Sequence, residues 1–589
     1  MFGALKVSHM QWGELQYIGG ENEIEPSIDE DRILITAKIR LSRRRNPANF
    51  QMKFTMETED GELIEQFVSH RPIEFSKHPK KQRTLHFETP ELFCKTQYKC
   101  ELIYKDNVLP ISSKQELFIN TPPARQDPQP LKVAIGGDQE RFEQFGFLGK
   151  LFDLNNYEHT KKIYKHIGSE GNPNALPTAP IEEQPYQLMI HLGDLFNGEV
   201  YFSLSNLFRP NRKIFERKVQ SKEAYDDHLN KDTLHPTKKN LKRACYGFYN
   251  GSDDHDTLGN GGGEPVTKKE ITARGNMEKS FHKNVLLPQF TKQESDGYGP
   301  VKTPGGRKGP YFKKRFGQHE FFILHNRMTQ EKNALNRSFL LGEEQWIWLE
   351  NSLKTSQASN KVIISPLPFV MGKNPGEDYR AHWEEWHRFM QLCRKYQVGT
   401  ILTADSHNYS SSEIHVKENI DDEPWVIHHQ LIGTLGGSKQ FITSEEMAEI
   451  NKLGRPPLLP KGDGFNPLLY EGSRVNAYFS PGDKKALLPV ENEKAESQWT
   501  KKNEWRKHTH GYVGTIFTPK VDEAQIIHPL HYDELDELSM DTEGPFLKQP
   551  TLAMPYQVKA SFFGCSRRKE MAEENRLSEQ YEVSRMWGG

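Results

Sequence analysis

The sequence predicts an α/β protein fronted by a small all-β part. Three observations predict it. Short β-rich runs fill residues 1–120, four prolines fall within the ten positions 121–130, and short apolar runs ending in Gly-Asp or Ala-Asp then alternate with helical patterns. A chain of 589 residues is long enough for about three domains at roughly 100–200 residues each.

The front part comes first. The runs at 32–41, 50–57, 63–68, 98–104 and 115–120 are β-rich and separated by turn signals such as Asp60-Gly61, which predicts a β-sandwich over 1–120. The Pro-rich segment 121–130 cannot continue a sheet ladder and reads as a stiff linker. In 131–440, the runs at 132–138, 186–194, 319–327, 360–369 and 398–405 read as buried strands. Between them, Trp346, Leu349 and Leu353 share one helical face, and Trp383, Trp386, Met390 and Cys393 recur at three- and four-residue spacing. These aromatics read as core packing. The polar stretch at about 206–315 is read as an inserted loop region over the functional face. Residues 441–589 read as a C-terminal extension with a Pro-rich start, strands and a charged helical tail.

Composition excludes several classes. Lys and Arg total 78 against 80 Asp and Glu, so no global charge favours nucleic acid. No apolar run approaches the ~18 residues of a membrane span. The first twenty residues lack a basic region followed by an apolar one, which predicts a cytoplasmic chain, or one exported without a cleavable signal. Five scattered cysteines exclude a disulfide framework and a paired-cysteine zinc site. Any metal centre must therefore use His, Asp, Glu and Asn.

Four polar clusters sit at the ends of apolar runs or just beyond them. They are Gly136-Gly137-Asp138-Gln139-Glu140, His191-Leu192-Gly193-Asp194 with Asn197, Asp253-Asp254-His255-Asp256, and Ala404-Asp405-Ser406-His407. Ligands of α/β sheets bind outside the carboxyl ends of strands, so these acids can converge there. Convergence of Asp138, Asp194, Asp254 and Asp405 would bring like charges together, and cations remove that conflict. Oxygen donors with an imidazole suit Mn, Fe, Zn or Ca better than a thiolate site would.

The order of these motifs resembles the calcineurin-like metallophosphoesterase superfamily, and within it the PhoD-like phosphatase/phosphodiesterase family. Leu341-Gly342-Glu343-Glu344-Gln345-Trp346-Ile347-Trp348-Leu349, followed by Leu353-Lys354-Thr355-Ser356, is similar to that family too. The resemblance covers about residues 1–440. It implies a four-layer α/β/β/α catalytic domain behind the β-sandwich, and two divalent or trivalent metal ions, of Mn, Fe, Zn, Mg or Ca. It also implies hydrolysis of phosphomonoesters or phosphodiesters by a hydroxide bridging those ions. By this resemblance Asp194 bridges the metals. Asp138 and His407 hold the first, with Glu140 or Asn197 as supplementary donors, and Asp254 and Asp405 hold the second. His255 protonates the leaving oxygen and Asp256 orients its ring. The chain departs from the family at Asp138 in place of Cys, Asn197 in place of Tyr, and Leu324-His325-Asn326-Arg327 in place of Leu-Asp-Thr-Arg. Those departures remove soft and phenolate donors.

Two alternatives stay open: a nuclease or nucleotide pyrophosphohydrolase with the same centre, and a catalytically silent relative that binds a partner. A phosphate ester is the expected substrate; the oligomeric state is not encoded in any motif. Arg43–Arg45, Lys77–Arg83 and Arg567–Lys569 read as solvated basic faces, with phosphate-rich or nucleic-acid partners the minority reading. Arg307, Lys308 and Arg315 lie in a glycine-bearing basic run and are candidates for clamping a substrate phosphate. His191, inside an apolar strand, reads as a core residue.

Overall fold

Phe50, Met52 and Phe54 are buried and alternate with the more exposed Gln51, Lys53 and Thr55, so this segment forms a strand with one face inward. The computed structural model describes residues 5–18, 30–58, 60–70, 81–109, 117–137, 163–165, 167–168, 171–172, 175–181, 183–193, 200–202, 215–217, 248–251, 253, 256, 272, 275–276, 280, 311–327, 331–332, 338–369, 379, 383–405, 410–416, 425–432, 476–478, 510–517, 528–533, 539–541 and 558–565.

The front part contains β1 (Val7–Tyr17), β2 (Arg32–Arg45), β3 (Phe50–Glu57), β4 (Leu63–Ser69), β5 (Gln82–Glu88), β6 (Leu92–Phe93), β7 (Gln97–Tyr104), β8 (Asn107–Leu109) and β9 (Leu117–Asn120). They form two antiparallel sheets. One runs β1-β2-β5 with β6 also on β2; the other runs β4-β3-β7-β8 with β9 also on β7. Trp12, Ile33, Ile35 and Ile39 of the first share a core with Phe50, Met52, Phe54 and Tyr98 of the second.

Residues 121–130, read from the sequence as a stiff linker, are packed as a strap. Thr121 to Arg125 are all buried. The Arg125 guanidinium donates to Asp31 through Nη2 at 2.9 Å and Nε at 3.2 Å, and its backbone N donates to Asp31 Oδ2 at 2.8 Å. The Tyr17 hydroxyl donates to Pro123 O at 2.5 Å and accepts from Gly317 N at 2.7 Å. Prolines suit such burial, because each lacks an N–H that would otherwise need a partner.

Beyond the strap lie β10 (Leu131–Gly136), β11 (Leu188–His191), β12 (Val200–Phe202), β13 (Phe215–Arg217), β14 (Phe248–Asn250), β15 (Phe312–Phe316), β16 (His319–Ile323), β17 (Glu331–Lys332) and β18 (Ser338–Phe339). There follow α1 (Gly342–Thr355), β19 (Asn360–Ser365), α2 (Trp383–Lys395), β20 (Thr400–Thr403), β21 (Ser410–Val416), β22 (Trp425–Leu431), β23 (Asn476–Tyr478), β24 (His510–Phe517), β25 (His528–Asp533), β26 (Ser539–Asp541) and β27 (Val558–Cys565).

Two mixed sheets dominate this part. The first has the order β14-β11-β10-β24-β27-β25-β26, and the second β15-β16-β19-β20-β22-β21-β23. Parallel pairing runs through β14, β11 and β10 in the first and through β16, β19, β20 and β22 in the second. Val133, Ile135, Leu188 and Ile190 share a core with Phe321, Ile323, Val362 and Ile364, and the Phe321 ring meets Phe517 edge-on at 5.4 Å. Phe322, Ile363 and Ile401 point to the other side of the second sheet, where Trp346, Leu349, Leu353, Phe389 and Met390 of α1 and α2 cover them. Of the four layers that the resemblance implies, the described residues show three: helices, sheet and sheet.

Two expected boundaries move. β24 pairs antiparallel with β10, from Leu131↔Phe517 to Ile135↔Val513, and β23 pairs with β21, so 441–589 supplies strands to both sheets. Pairing between distant segments leaves no local periodicity to read. The stretch 206–315 holds β14, a strand of the first sheet, and most of β15, one of the second. A three-residue strand is too short to show a period. The expected charged tail lies outside the described residues. Among the described residues no helix is long and apolar enough to cross a membrane.

Candidate active site

The carboxyl ends of parallel strands from both sheets meet at one place. A Cβ added to Gly137, just past β10, would come within 2.9 Å of Ala404 Cβ, past β20, and 3.5 Å of Leu192 Cβ, past β11. Only glycine permits that approach. Gly251, past β14, donates its N–H to His191 O at 2.6 Å and lies against the Leu192 carbonyl. Gly193 has φ +135° and its N–H donates to His191 Nδ1 at 3.3 Å, so the core histidine expected from the sequence shapes the turn that leads to Asp194.

Charge is concentrated here. Arg327, past β16, donates through Nε to Asp253 Oδ1 at 2.8 Å and through Nη2 to Asp405 Oδ1 at 2.6 Å. Asp253 is fully buried and the Asp405 side chain is only 10% exposed. The described ionic cluster therefore holds two carboxylates on one guanidinium. Asp405 has φ +72°, an uncommon conformation for a residue with a side chain that Asp tolerates better than most. Asp256, also buried, accepts the Asp253 N–H through Oδ2 at 3.1 Å.

Neighbouring elements fix the base of Arg327. Gln345 of α1 accepts from His325 N at 2.9 Å and donates to His325 O at 2.7 Å. Asn326 Nδ2 donates to Ser365 Oγ at 2.9 Å, tying β16 to β19. The start of α1 is held in turn by Glu385, which accepts from Leu340 N, Leu341 N and Trp346 Nε1. A carboxylate there satisfies orphan N–H groups and the helix dipole. Burial pushes the Tyr379 phenol well up, Glu385 adds to that, and Asn326, Ser365 and Arg327 pull against it, so the hydroxyl stays protonated under the cluster.

Of the candidates named from sequence, Asp405 and Asp256 are in this cluster. Asp138, Glu140, Asp194, Asn197, Asp254, His255, His407, Arg307 and Lys308 lie outside the described residues. Arg315 is described outside this cluster. It lies in β15 at the strap end, where Nε donates to Gly317 O at 2.9 Å and Nη2 to Arg125 O at 3.1 Å. Asp253 and Arg327 received no role from the sequence. The available signal was an arginine directly following a long apolar strand.

Among the described residues no group of three His, Cys, Asp or Glu could hold a metal ion. The donor chemistry nevertheless fits a hard cation. Asp405 is a carboxylate, the kind of oxygen donor that a hard cation takes.

No family model matches the chain, and no curated relative matches it. Solved structures do. The structure of PhoD covers 73% of this chain and 77% of its own at 16% identity and a TM-score of 0.46. Purple acid phosphatase PPD1 from yellow lupin (Lupinus luteus) seeds covers 95% and 76% at 10% identity and a TM-score of 0.46. GAP50, the anchor in the inner membrane complex of Plasmodium, covers 52% and 72% at 11% identity and a TM-score of 0.26.

Proposed function

We propose that this chain is a metal-dependent phosphoesterase hydrolysing phosphomonoesters or phosphodiesters. One observation carries the proposal: Gly137, Leu192, Gly251 and Ala404 meet at the strand ends. Asp138, Asp194, Asp254 and Asp405 are each joined to one of these residues or to its near neighbour, by a single peptide bond to Gly137, Gly193, Asp253 and Ala404. So many tethered carboxylates call for cations. Bound there, two divalent or trivalent ions would supply an acidified water and charge stabilisation at phosphorus.

The chain's own residues do the rest. Asp194 is the shared donor, Asp138 and His407 serve one side with Glu140 or Asn197 in support, and Asp254 and Asp405 serve the other. His255 gives its proton to the leaving oxygen. Asp256, which is buried and bonded to Asp253 N, orients the His255 ring. Metal analysis of the purified protein, followed by assays with p-nitrophenyl phosphate and bis(p-nitrophenyl) phosphate, tests the class of reaction. Asp194→Asn should abolish turnover and lower metal content while unfolding stays cooperative. Full activity in that variant, or metal-free wild-type protein that hydrolyses both esters, would sink the proposal.

A further inference from the structure

The two aspartates on Arg327 come from different sheets. Asp253 follows β14 at one edge of the first, whereas Asp405 and Arg327 follow β20 and β16 in the second. We infer that Arg327 is a positioning residue that locks the two strand-end loops together and so pre-forms the donors for the cations. This inference rests on the phosphoesterase reading. Asp253 is immediately followed by the candidate ligand Asp254, and Asp405 is itself a candidate ligand two residues before His407.

The geometry favours a clamp. A guanidinium is planar and rigid, so carboxylates bound to its Nε and Nη2 are fixed relative to each other, which a flexible ammonium cannot do. Its own stem cannot drift, because the two preceding residues are held by Gln345 and Ser365. A non-glycine residue at φ +72° persists only where its surroundings over-determine it, and the 2.6 Å bond to Arg327 is part of that restraint at Asp405.

A clamp and a simple counter-ion differ in sign. A counter-ion competes with metal for the same carboxylates, so removing it would tighten metal binding. A clamp assembles the donors, so losing it would weaken metal binding. Arg327→Lys separates the two, because it keeps the charge and loses the fork. Metal-free protein titrated with Mn²⁺ by calorimetry should bind about 10–100-fold more weakly in this variant, the range typical of groups that orient metal ligands. Asp253→Ala, which removes one arm without touching a candidate ligand, should show a loss in the same direction. Wild-type or tighter Mn²⁺ affinity in folded Arg327→Lys overturns the clamp. If that variant fails to unfold cooperatively, Asp253→Ala decides by the same criterion. Should wild-type protein bind no Mn²⁺, Zn²⁺ or Ca²⁺ at all, the phosphoesterase reading falls and takes the clamp with it, a result distinct from unchanged affinity in the variants.

Discussion

Arg125 and Arg327 are both buried, both paired to aspartate, and stand at opposite ends of β16, yet they solve different problems. Arg125 meets one aspartate with two guanidinium nitrogens and its own backbone N, and donates a further bond to Ile18 O. Arg327 spreads over two aspartates that follow strands of different sheets. A guanidinium on one carboxylate holds a joint, whereas one on two carboxylates ties two strand ends to each other.

The largest effect is expected at the joint. Asp31→Ala would leave Arg125 buried without its carboxylate, at a cost of about 3–5 kcal/mol. Urea unfolding should show that loss, while kcat per folded molecule stays at the wild-type value. A matching fall in kcat would mean that the joint and the site are not separable.

A pH experiment sharpens the same contrast. His319, at the joint, is fully buried between Gln129 O and Asn360 Nδ2, each at 3.0 Å. Burial pushes its pKa down to about 4, helped by Arg315 and opposed by the bond to Gln129. The folded ring is neutral where the unfolded one, with an ordinary value near 6.5, takes up a proton. Its stabilising contribution is therefore complete above about pH 6.5, is lost as pH falls toward 4, and changes no further below that, an effect of about 3 kcal/mol. In His319→Gln the slope of stability against pH over this window should be shallower than in wild type. Parallel slopes would refute the assignment.

The smallest effect belongs to an exposed counterpart of these pairs. Arg388 binds Glu343 through two nitrogens at 2.9 and 3.3 Å and lies over the Trp346 ring at 4.7 Å, on the solvent side of the helices. Arg388→Ala should cost no more than about 1 kcal/mol by thermal unfolding. A cost matching that of Asp31→Ala would show that burial is not what separates these pairs.

The strands that carry the site were legible because buried parallel strands read as continuous apolar runs. Those at 186–194, 319–327, 360–369 and 398–405 contain β11, β16, β19 and β20, the run at 132–138 covers all of β10 but Leu131, and their polar ends were visible as punctuation. The faces of α1 and α2 were legible from three- and four-residue spacing. β14 was not, because Phe248–Asn250 is held by its neighbour β11 and not by any pattern of its own. β24 was legible as a strand, but its place beside β10 was not, because that depends on residues about 380 positions away. Arg327 was visible as a residue, but its partners belong to loops from other strands.

The hydrogen bond from Leu15 N to the Tyr249 hydroxyl, at 3.0 Å, joins residues 234 positions apart, and the bond from Gly317 N to Tyr17 spans 300. Both ends of the longer link exist only after more than half the chain has been synthesised. The front sheets are synthesised before the segment that carries Tyr249, so the face that receives this side chain must wait for its partner. Contacts of such sequence separation must offset a large closure entropy before they contribute anything, so they form late and slowly. Refolding should therefore pass through a species with its front core formed and that face still uncovered. At high protein concentration this is the species that would aggregate, and dilution or an added chaperone would recover yield at this step.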